Sequence, residues 1–83
     1  MQQIIKNNIE LLDLVKKNNI EFDKNITNKM TKLVINKETA SSKLLKDGID
    51  ITNNLIMLLF KNGISLNQSL IEKIDNTIKF MEA

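Results

Sequence analysis

The chain has 83 residues, 42% of them hydrophobic and 27% charged, with a net charge of +2, which fits one small globular domain. His, Cys, Trp, Tyr, Pro and Arg are absent, which removes the commonest catalytic base, the soft metal ligands and the bidentate phosphate clamp. No disulfide framework or zinc site can staple the fold, so stability must come from apolar packing or association, and neither an enzyme nor a cofactor is expected.

A recurring heptapeptide organises the chain. It reads Lys17-Asn18-Asn19-Ile20-Glu21-Phe22-Asp23, then Lys46-Asp47-Gly48-Ile49-Asp50-Ile51-Thr52, then Lys61-Asn62-Gly63-Ile64-Ser65-Leu66-Asn67. Each copy reads as a helix stop followed by a helix start. Asn19, Gly48 and Gly63 fall where a helix end calls for positive φ, and a Lys in each preceding turn suits the negative end of the helix dipole. Asp23, Thr52 and Asn67 are strong N-cap types, and Ile51 with Ile56 and Leu66 with Ile71 have hydrophobic-staple spacing.

Three connectors predict an all-α bundle or short array of four helices over about 2–18, 24–46, 52–62 and 67–82. The first carries Ile4, Ile5, Ile9, Leu11, Leu12, Leu14 and Val15 over more than half its circumference. Asn8 falls inside that sector and reads either as a partly exposed residue near the terminus or as a buried amide that sets register. The second is taken as one long helix, because Ile26, Met30, Leu33, Val34, Ala40, Leu44 and Leu45 share a face. Asn36, Thr39, Ser41 and Ser42 are weak helix formers, and a break through 36–42 is the alternative.

The third helix holds the longest apolar run, Leu55 to Phe60, which points in every direction around its axis. Such a segment is either enclosed by the rest of the fold or shared with an association surface. A small domain buries proportionally little of its surface, so Met57 and Phe60 are the first interface candidates. The last helix has a cleaner stripe of Leu70, Ile71, Ile74, Ile78 and Met81, with Phe80 well off its centre as a further interface candidate.

Other chemistries fit less well. The turn around Gly63 departs from a helix-turn-helix: Asn62 precedes the glycine, and the second helix would open on Asn67, Gln68 and Ser69 with no Arg to read guanine. Nucleic acid is therefore not the expected partner, and a dimeric DNA-binding regulator stands as the alternative. Asp47 with Asp50 and Glu21 with Asp23 supply too few oxygens for a calcium loop. Ser41, Ser42, Ser65 and Ser69 have no His to activate them. A chain without a long apolar run is expected neither to span a membrane nor to carry a secretory signal, and the cytoplasm is the default setting.

The composition as a whole, with its many Lys, Ile and Asn, is that of an AT-rich coding sequence. It suits a low-GC bacterium, phage or plasmid. The expectation is a small non-enzymatic module that binds and modulates a larger protein, forms homo-oligomers, or does both. A self-assembling structural subunit is the remaining alternative.

Overall fold

The computed structural model describes residues 2–36 and 41–82, the side chains of 80–82 excepted. It is an all-α bundle whose described helices are α1 (Gln2–Lys17), α2 (Lys24–Ile35), α3 (Ser42–Lys61) and α4 (Gln68–Glu82). None of them is long and apolar enough to cross a membrane.

Two of the three heptapeptides are connectors, and they are built alike. Asn19 and Gly63 have φ of 56° and 74°. The following Ile20 and Ile64 donate their amides back to Val15 and Leu59 at 3.1 and 2.9 Å, which closes each helix end. Both isoleucines pack against the core. Asn18 and Asn62 add side-chain bonds to the carbonyls of Leu14 and Leu58. The next helices start at caps: Asp23 accepts from the Asn25 amide at 2.9 Å, and Asn67 from the Leu70 amide at 2.8 Å.

The middle heptapeptide is helix. Gly48 lies inside α3, outside the positive-φ region, and Thr52 is a buried residue of the helix interior rather than a cap. A β-carbon added at Gly48 would stand 2.8 Å from Ile4 Cγ2. The glycine therefore serves the crossing of α3 over α1, at the expense of about 1 kcal/mol of helix propensity. Thr52 is accommodated because its hydroxyl reaches the Gly48 carbonyl one turn back at 3.0 Å. Ile51 is core instead of half of a staple.

The single long second helix and the short third one are corrected with it. α2 ends at Ile35 and α3 begins at Ser42: the Asn36 amide and side chain both bond the Lys32 carbonyl, and the Ser41 hydroxyl accepts from the Leu44 amide at 3.2 Å to start α3. Side chains that compete for backbone bonds favour helix ends over interiors. Ala40 lies outside the described residues, and Val34 is exposed instead of core.

α1 packs against each of the other three helices, most extensively against α3. α2 packs on α3, while α4 rests on α1 and makes no comparably close approach to α3. The shared core contains Leu11, Val15, Leu33, Ile51, Leu55 and Leu59, with Leu70 and Ile74 from α4. Ile9, read as apolar-face, is about half exposed.

The backbone spans 34 × 27 × 15 Å. Its shortest dimension accommodates two layers of helices about 10 Å apart and no third, so every helix keeps a side toward solvent.

Candidate protein-binding surface

At 100° per residue the core side of α3 centres on Gly48, Ile51, Leu55 and Leu59, all buried. Proceeding around the helix, Ile49 and Ile56 lie on one flank and are partly buried, and Leu58 lies on the other. Opposite the core stand Phe60, Asn53, Met57 and Asp50, all exposed. Met57 is 68% exposed and Phe60 61%, although both are large apolar side chains. The run from Leu55 to Phe60 is thus divided: two residues in the core, two at its margin and two on the surface.

The separation of α3 and α4 leaves an open groove beside Phe60. It has a volume of about 200 Å³ and is lined by Ile56, Phe60, Leu66, Ile71, Ile74 and Asp75. Asp75 is its one charged wall residue. Leu66 and Ile71, paired in sequence by staple spacing, both line it, so the cap of α4 also shapes the groove. Its chemistry is that of an apolar cleft with an acidic edge, which suits an apolar anchor side chain from a partner.

A second hollow, of about 230 Å³, lies between α1 and the start of α4 and is lined by Glu10, Asp13, Leu14, Lys17, Asn67 and Leu70. One ion pair borders this α1–α4 seam, Lys73 Nζ to Glu10 Oε1 at 3.7 Å, with both side chains about half exposed. No group of three or more His, Cys, Asp or Glu side chains able to hold a metal ion occurs among the described residues. Asp23, one of the acids weighed as an ion ligand, is occupied as a helix cap.

Of the candidate interface residues, the structure brings Met57 and Phe60 onto one exposed side of α3. The Phe80 side chain lies outside the described residues. What the sequence concealed is the groove: Leu66 read as half of a staple and Ile71 and Ile74 as the apolar stripe of the last helix, and only the spacing of α3 from α4 makes them part of a cleft. Val34 and Ile35 are also exposed, at the end of α2 that adjoins residues 37–40. Comparison of the chain with protein-family models, with curated proteins and with solved structures finds no match.

Proposed function

We propose that this chain is a non-enzymatic protein-binding module whose binding face is the outer side of α3, with Met57 and Phe60, and the adjoining α3–α4 groove. One observation carries the reading: two large apolar side chains stand mostly exposed on one side of α3, and one of them, Phe60, lines an apolar cleft. An exposed Phe anchor beside an adaptable Met is the composition that interface centres favour, and each loses unfavourable contact with water when covered. The reading keeps the cytoplasm as its setting and regulation of another protein as its role.

The test compares the chain with the Phe60→Glu and Met57→Glu variants as immobilised baits in extract of the source cells. Loss of captured protein by both variants, with helical content unchanged, is the expected result. Equal capture by all three would show that binding, if any, uses another face.

A further inference from the structure

From Asp47 to Lys61 the outer side of α3 has a charge pattern that is complementary to itself when reversed. After Lys43 and Lys46 in its first turns it carries Asp47 and Asp50, in the middle Asn53 and Met57, and at the C-terminal end Phe60 and Lys61. The single ion pair among the described residues joins Lys73 to Glu10, so Asp47, Asp50 and Lys61 have no such partner there.

We infer that the occupant of this face is a second copy of the chain, paired antiparallel through α3 about a two-fold axis near Leu55. The inference rests on the reading of Met57 and Phe60 as a binding face. In an antiparallel helix pair, residues equally far from the axis in opposite directions lie at the same height. That geometry puts Met57 level with the partner's Asn53, and Phe60 level with the partner's Asp50. Ile56 meets the partner's Ile56 on the groove flank. On the opposite flank Lys61 falls between the heights of the partner's Asp47 and Asp50. Lys43 and Lys46, the remaining charges on the stripe, lie beyond the overlap, at and past the carbonyl end of the partner's α3, where a cation is favoured.

The parallel arrangement sets like against like, Lys61 on Lys61 and Asp50 on Asp50, which disfavours it. The contact is one helix pair with the edge of a groove, at the small end of interface sizes, so association is weak and concentration-dependent.

Sedimentation equilibrium across a concentration series tests this. The chain should shift from monomer to dimer as concentration rises, and Met57→Glu should abolish the shift. Lys61→Glu alone and Asp50→Lys alone should each weaken self-association by about tenfold or more, since each places like charges together twice in the symmetric dimer. An equal mixture of those two variants should recover dimer as a heterodimer, because both cross-pairs then attract. All of these positions are exposed or at a helix end, and circular dichroism verifies that each variant folds.

A strict monomer at the highest concentrations overturns the proposal, as does a dimer indifferent to Lys61, Asp50 and Met57. If the chain is monomeric yet still captures another protein through Phe60, the second copy is ruled out while the binding face stands. If neither occurs, both readings fail.

Discussion

Asn8 of α1 reaches across to α3, donating from its amide to the Gly48 carbonyl at 3.1 Å and accepting from the Thr52 hydroxyl. That hydroxyl also lies 3.0 Å from the Gly48 carbonyl, so its one proton is shared between two acceptors. Asn8 is wholly buried, and no buried side-chain nitrogen or oxygen among the described residues lacks a partner. Of the two readings open for Asn8, the partly exposed one is thereby corrected: the amide is buried, and its bonds tie α3 to α1 at the glycine crossing.

Thr52→Val should lower stability by about 1–2 kcal/mol, because it leaves the Asn8 carbonyl oxygen buried with one bond fewer. Asn8→Ala should lower it by about 2–3 kcal/mol, adding lost packing to lost bonds. In urea unfolding the double variant should be less destabilised than the two effects summed, since both remove one shared interaction. Additive losses would mean that the two side chains act independently.

Gly48 and Gly63 should respond to alanine for different reasons. At Gly48 the new methyl meets Ile4 Cγ2, and Ile4 is itself almost fully buried, so overpacking of about 1–3 kcal/mol outweighs the gain in helix propensity. Truncating Ile4 to Ala should reduce the penalty of Gly48→Ala. At Gly63 the space around the new atom is open but φ is 74°, so the loss, about 1 kcal/mol, is backbone strain alone. Truncating Ile4 should leave that loss unchanged. Thermal melts of the five single and paired variants separate the two cases.

Ile74 links α4 to the core at 4% exposure, and Ile74→Ala should lower stability by about 2–5 kcal/mol. Lys73→Ala, which removes an exposed ion pair, should change it by less than about 1 kcal/mol. A tolerated Ile74→Ala would mean that α4 contributes little to the folded state.

Replacing Asp23 or Asn67 with Ala should each cost about 1 kcal/mol, through loss of the side-chain bond to the first turn of α2 or α4. Thr52→Ala, at the position that resembles them in sequence, should lose its stability through buried contacts to α1 instead. Hydrogen exchange distinguishes the cases: the cap variants should loosen the first turn of their own helix, and the threonine variant the α1–α3 contact.

The sequence by itself determined the helical class, both true connectors, the caps at Asp23 and Asn67 and the burial of Leu70 and Ile74 on α4; the Met81 side chain lies outside the described residues. All of these rest on interactions within a few residues of chain: a backbone position that favours Gly or Asn, a side chain that satisfies a nearby amide, an apolar period of 3.6. Tertiary structure decided what Lys46 to Thr52 become. The same heptapeptide can end one helix and begin another or continue through both, and here it continues as the stretch of α3 that crosses α1, where Ile4 leaves no room for a β-carbon at Gly48 unless its own side chain shifts. The contact joins residues far apart in the chain, so no local pattern discloses it. The same holds for the surface: periodicity shows that the segment from Leu55 to Phe60 is apolar all round, but which two of its side chains remain exposed depends on where α1 and α4 stand. In a fold only two helix layers thick, none of the described helices covers Met57 and Phe60.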